Sequence, residues 1–105
     1  MKKKIGILFA TIVVLIIIGG ISINHSLDKI KNDTQQYLVK DQGYKNEDIK
    51  EIKSYYNWAK GWGFHTNVIF KDEPDGTYYY AYNSKKCIYQ EGFTSKTSKH
   101  AEINN

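Results

Sequence analysis

Three carboxylates crowd into one short stretch, at Asp72, Glu73 and Asp75. Ca²⁺ takes about six to eight oxygen ligands, and such a cluster could supply the first few. The stretch lacks the D-x-[DN]-x-[DN]-G spacing of a calcium loop. A solvated acidic turn that closes two strands and discourages edge pairing is the plainer use, and a partner contact is a third. Just beyond, Tyr78, Tyr80 and Tyr82 alternate on one face of a strand. A tyrosine ring joins an apolar body to a polar tip, so an exposed ladder would suit a glycan, a peptide or a lipid headgroup. Against this stands ordinary core packing of one strand face. Trp58 and Trp62 flank a turn, either as anchors to headgroups or a partner, or as core under a helix. These seven residues are the candidate binding set: Asp72, Glu73, Asp75, Tyr78, Tyr80, Trp58 and Trp62.

Other chemistry is sparse. His25, His65 and His100 are scattered and show no H-E-x-x-H or paired spacing, so no zinc site is expected. Cys87 is the one cysteine, which excludes an internal disulfide. A Cys87–His65 nucleophile–base pair lacks a third orienting group, and a buried, inert thiol is the expectation. Gly61 and Gly63 lack the lysine and helix of a phosphate loop. The sequence thus implies no cofactor, no metal and no catalytic residue.

These residues depend on elements that must position them. Ile5 to Ile23 carry no charge, and thirteen of the nineteen are Ile, Leu, Val or Phe. At 1.5 Å per residue the run spans about 28 Å, close to a hydrocarbon core. Lys2, Lys3 and Lys4 precede it and should stay in the cytoplasm, which sends the chain from Asn24 onward outside. The expected partner is therefore a lipid bilayer, through residues 5–23. A cleaved signal peptide has the same layout, with Gly20-Ile21-Ser22 as the cleavage site, and would give a secreted domain. No cysteine follows the run to carry a lipid.

The chain of 105 residues has a formal net charge of +4. Without the three N-terminal lysines, twelve lysines face eleven acidic residues, so the outer part is nearly neutral. There is no arginine, the usual bidentate ligand of phosphate and guanine, so no nucleic acid is expected.

Residues 24–93 read as one extracytoplasmic α+β domain. Leu27, Ile30, Tyr37 and Leu38 share a face at a period of 3.6, which predicts a helix capped by Asn24 or Ser26 and stopped by Gly43. Four strands follow, near 49–58, 63–71, 77–83 and 86–93, joined by short turns that favour an antiparallel meander of three to four strands. The first of them also suits a helical turn. Pro74 and Gly76 set the second turn, over 72–76. Phe64, Val68 and Phe70 share the face the helix covers. Residues 94–105 are polar and read as a flexible tail.

The lysine start, the single hydrophobic helix, the Y-x-x-x-D-I segment from Tyr44 to Ile49, the F-K-D-E-P motif at Phe70–Pro74, the tyrosine-rich strand and Gln90 together carry a resemblance. The chain resembles an uncharacterised family of small membrane-anchored proteins, domain of unknown function 3139. That resemblance implies a Gram-positive source, a single-pass membrane address and no activity to carry over.

Two functional classes fit. One is a non-enzymatic binding module displayed outside the membrane, contacting a membrane or cell-wall protein. The other is a small immunity- or stress-type membrane protein whose hydrophobic helix does the work. An enzyme would need a deep pocket with mismatched pKa values.

Overall fold

A computed structural model describes residues 2–57 and 63–102. A helix α1 runs without interruption from Lys2–Gln36. It continues as a wider, π-type turn over Tyr37–Asp41, closed by the Gln42 amide on the Tyr37 carbonyl at 3.1 Å. Gly43 then takes φ +80, a left-handed value that glycine adopts at little cost, and the helix stops there as the sequence predicts.

The first half of α1 is apolar all round. Its most hydrophobic window has a mean hydropathy of 2.7, and none of that window is buried. This is one long apolar helix near the N-terminus, of the length and composition of a membrane anchor or a signal sequence. Thr11 returns its hydroxyl to the Ile7 carbonyl at 2.9 Å, which satisfies it within the helix.

The second half of the same helix is amphipathic. Ile30, Thr34 and Leu38, spaced by four, are fully buried. They pack on a four-stranded antiparallel sheet in the order β1-β2-β3-β4. The strands are β1 Ile49–Asn57, β2 Gly63–Phe70, β3 Glu73–Tyr82 and β4 Ile88–Thr94. The α+β meander is thus as expected, and the first segment is a strand rather than a helical turn. A register shift between Ile49 and Glu51 lets Ile49 and Ile52, three residues apart, both pack against the core cluster from a strand at one edge of the sheet. Thr34 and Thr66 join helix to sheet by a buried hydroxyl pair at 2.9 Å.

The core is Leu38, Val68, Phe70, Tyr78 and Tyr80, ringed by Tyr37, Tyr44, Ile49, Ile52 and Ile88. A short chain fills its interior with rings because each buries much area.

The expected helix start at Asn24 or Ser26 is absent, because α1 passes through both without a break. Two further features differ from the sequence reading. The second turn is only Lys71–Asp72, and the chain re-enters the sheet at Glu73. Phe70 pairs with Glu73 and Val68 with Tyr78, so Pro74, Asp75 and Gly76 form a bulge within β3. A proline is tolerated at such an irregularity, where no ladder hydrogen bond is lost. Gly76 is needed for space as well, since a methyl group there would run into the carboxyl group of Glu73. Gly76→Ala is expected to destabilise the domain by about 1–3 kcal/mol, as overpacking does. Urea denaturation of the variant beside the parent checks this.

The second difference is the C-terminal segment. Far from hanging free as a flexible polar tail, residues 95–102 fold back over the open end of the core. The His100 ring stacks on Phe70 with centroids 3.9 Å apart, and its backbone amide donates to the Tyr78 hydroxyl at 3.0 Å. Polar composition suggested solvent, yet these polar groups bind buried partners instead.

Candidate functional site

The sheet has two faces with different fates. Tyr78, Tyr80, Val68 and Phe70 point to the helix and are fully buried. Tyr78 and Tyr80 are therefore core residues and not a ligand ladder. Tyr80 receives a hydrogen bond from the Gln90 amide at 3.1 Å, and burial pushes its pKa well above the ordinary value. Tyr82, at the edge, donates to the Asp33 carboxylate while Lys29 lies 5.1 Å over its ring.

The acidic trio does not converge either. Asp72 bonds the His100 Nε2 at 2.7 Å and Lys99 at 3.1 Å. A carboxylate only accepts, so Nε2 carries the proton, and the Tyr44 hydroxyl can donate to Nδ1 at 2.9 Å. Glu73 is 9% exposed and is ligated by hydroxyls of Ser95, Thr97 and Tyr78. Asp75 is exposed on the bulge. Among the described residues, no group of three or more His, Cys, Asp or Glu is placed to hold a metal ion. Trp58 and Trp62 lie outside the described residues. Cys87 is exposed in the β3–β4 turn rather than buried, and His65 is engaged elsewhere, so the two form no pair.

The two motifs behind the resemblance meet at one end of the core. Tyr44 packs on Phe70 with ring centroids 4.8 Å apart. The Lys71 amide donates to the Asp48 carbonyl at 2.9 Å, and the Asp48 carboxylate accepts from the Lys45 amide at 2.9 Å. The Y-x-x-x-D-I and F-K-D-E-P residues thus hold the fold together, with His100 stacked over them.

This framework sets a pH dependence. Asp33, Asp72 and Glu73 are held below the ordinary carboxylate values of 3.8 and 4.5, first by the hydroxyl of Tyr82, the ring of His100 and the hydroxyl of Ser95 respectively. A depressed folded pKa stabilises above the unfolded value and is lost as pH falls through the folded one. Stability should therefore be flat above about pH 5 and fall below pH 4. On the alkaline side, burial raises Tyr37, Tyr44, Tyr55, Tyr80 and Tyr82 above 10.0. Their contribution is present below pH 10 and lost above it. Denaturant titrations from pH 2 to 12, with tyrosinate absorbance followed in parallel, check both limbs.

The opposite face of the sheet carries no helix among the described residues. The register aligns Tyr55, His65, Ala81 and Tyr89 in one row across all four strands, with Asn67, Tyr79 and Gly92 in the next. Ala81 and Gly92 are the small residues between the tyrosines, and an open hollow of about 460 Å³ lies there, lined by Tyr55, Asn57, Tyr79, Tyr89, Glu91 and Gly92. On the same face His65, only 8% exposed, stacks on Tyr55 with centroids 5.5 Å apart. The β3–β4 register shift brings Glu91 over, and its carboxylate meets His65 Nδ1 at 2.6 Å. Two buried polar atoms on this face, His65 Nε2 and Asn67 Oδ1, have no hydrogen-bond partner among the described residues. Buried polar atoms are normally paired, so these two are exceptions.

Sequence reasoning missed this cleft. The one available signal was His65 and Asn67 alternating with Phe64, Val68 and Phe70, and a lone small Ala81 among tyrosines.

Fold and site together define a small α+β domain carried on one long apolar helix, with a tyrosine-walled cleft on the sheet face opposite that helix. The chain belongs to the family described as Protein of unknown function (DUF3139), whose model matches residues 1–80. The match takes in the helix, β1, β2 and most of β3, and stops before β4 and the segment that closes over the core. No curated protein and no solved structure matches the chain.

Proposed function

We propose that this is a single-pass membrane protein, with residues 1–4 cytoplasmic and the α+β domain displayed outside as a non-enzymatic binding module for a membrane or cell-wall protein. The observation that carries this reading is the tyrosine cleft on the sheet face opposite the helix, which no helix among the described residues covers. Tyrosine-lined concavities with a few convergent polar groups are the usual form of a binding site. The unpartnered Nε2 of His65 meets no nucleophile among the described residues, which speaks against acyl or phosphoryl transfer there. Three lysines beside an apolar helix favour retention of that end inside.

The anchor is tested with a C-terminal tag on intact protoplasts. Added protease should remove the tag without lysis; protection until lysis would reverse the topology. The module is tested by crosslinking in intact cells and recovery of the protein. A specific adduct should form in the parent and be lost when Gly92→Leu fills the cleft. Gly92 suits this because a Cβ there meets nothing within 4 Å. An adduct that survives the substitution would move the binding surface away from the cleft.

A further inference from the structure

We infer that the open end of the core is a peptide groove with a pocket for an imidazole. The chain fills it with its own residues 95–102, and an incoming histidine-bearing segment takes their place. The groove lies away from the tyrosine hollow, and the inference does not depend on that reading. Three rings build the pocket. The His100 imidazole stacks on Phe70 with centroids 3.9 Å apart, and meets the Tyr44 and Tyr78 rings edge-on at 5.3 Å and 5.6 Å. Its nitrogens reach Asp72 at 2.7 Å and the Tyr44 hydroxyl at 2.9 Å. A phenyl ring would stack there but answer neither polar partner. A lysine would reach Asp72 without stacking on Phe70. Only a flat ring with a polar atom on each side meets all of these groups.

The rest of the groove reads a peptide on both sides of that ring. Glu73 accepts from the Ser95 and Thr97 hydroxyls. The Gln90 side chain brackets the backbone: its amide donates to the His100 carbonyl at 3.0 Å, and its oxygen accepts from the Glu102 amide at 2.8 Å. Three observations mark residues 95–102 as a ligand rather than part of the frame. Among the described residues, their one backbone-to-backbone bond is internal, from Ala101 to Ser98 at 3.2 Å, and the β3–β4 ladder ends at Thr94. Release therefore leaves all four strands paired, and such segments open below the free energy of global unfolding. Ser98 takes φ +52, a left-handed value that a residue with a side chain keeps where surrounding contacts hold it. The pocket residues Tyr44, Phe70, Asp72, Glu73 and Tyr78 all lie within the stretch that the family model matches, and their occupant lies outside it.

The test uses full-length protein in nanodiscs with a protease site inserted between Thr94 and Ser95. After cutting, a fluorescent peptide of residues 95–105 is titrated beside its His100→Phe and His100→Ala forms, and anisotropy follows exchange. The parent peptide should bind saturably. The His100→Phe form should bind about ten-fold or more weaker, the scale of one charge-assisted hydrogen bond, and the His100→Ala form weaker again. Asp72→Asn in the protein should weaken the parent peptide more than the His100→Phe form, a split that general damage to the fold would not give. Uncut protein should bind the parent peptide far less well, because the tethered segment competes at an effective concentration of about millimolar. Equal binding of the parent and His100→Ala peptides overturns the imidazole pocket. Equal binding to cut and uncut protein places the peptide elsewhere and overturns the groove. So does an absence of binding to cut protein that keeps its near-UV circular dichroism. Should cutting unfold the domain, hydrogen exchange on uncut protein decides. The His100 and Glu102 amides should exchange about ten-fold or more faster than the ladder amides of β2 and β3, and exchange at the ladder rate overturns the inference.

Discussion

Tyr80→Ala should remove most of the stability of the α+β domain, about 3–5 kcal/mol, in urea denaturation monitored by near-UV circular dichroism. The ring is fully buried, packs 6.0 Å from the Tyr37 ring, and its hydroxyl receives the Gln90 amide. Truncation leaves a cavity between helix and sheet and strips Gln90 of one buried partner. A domain of this size has only about 5–10 kcal/mol in total, so the variant should be partly unfolded at 37 °C. Tyr80→Phe should lose about 1 kcal/mol, the share of the hydroxyl. Tyr79→Ala, one residue away on the free face, should cost under about 1 kcal/mol. If Tyr79→Ala proved as damaging as Tyr80→Ala, the assignment of the two faces would be wrong.

Ending the chain after Thr94 should be nearly as harmful. Removal of residues 95–105 strips Glu73 of its Ser95 and Thr97 hydroxyls and leaves it Tyr78 alone. It uncovers Phe70 by removing the His100 ring, and frees Gln90 from the His100 carbonyl and the Glu102 amide. It also cuts the link from Glu102 to the Tyr37 hydroxyl on the helix. A buried polar group left without a partner costs about 1–3 kcal/mol, and several lose partners together here. The expected loss is at least about 3 kcal/mol, or roughly 12–24 °C in melting temperature. A free tail would give no change, so an unaltered melting curve would return this segment to solvent. His100→Ala should fall between the two results, because it removes the stacked ring but keeps the backbone bonds.

Both predictions concern features that local sequence hides. Alternation correctly put Tyr78, Tyr80 and Tyr82 on a shared face, but it does not say whether that face meets a helix or a ligand. Two adjacent tyrosines have the same chemistry, and only the docking of α1 distinguishes Tyr79 from Tyr80. The turn at 72–76 was misplaced for a related reason. Pro74 and Gly76 are turn formers by local preference, yet the register with β2 and the fold of Glu73 over Gly76 hold them inside a strand. The polar segment after Thr94 reads as tail because its composition cannot bury itself. Its hydroxyls and imidazole have partners only once the open end of the core is assembled.

What the sequence determined by itself is periodic and local: an uncharged run long enough for a bilayer, an amphipathic helix that stops at Gly43, and strands in a meander. Each of these follows from backbone geometry acting on near neighbours. The tertiary structure alone decided the rest, namely which sheet face is core, where the C-terminal segment lies, and that His65 meets Glu91. Those contacts join positions 26, 28 and 65 residues apart, at His65–Glu91, Asp72–His100 and Tyr37–Glu102. No propensity spans such distances; burial of the common core brings the partners together, and their polar groups then pair because water has been excluded.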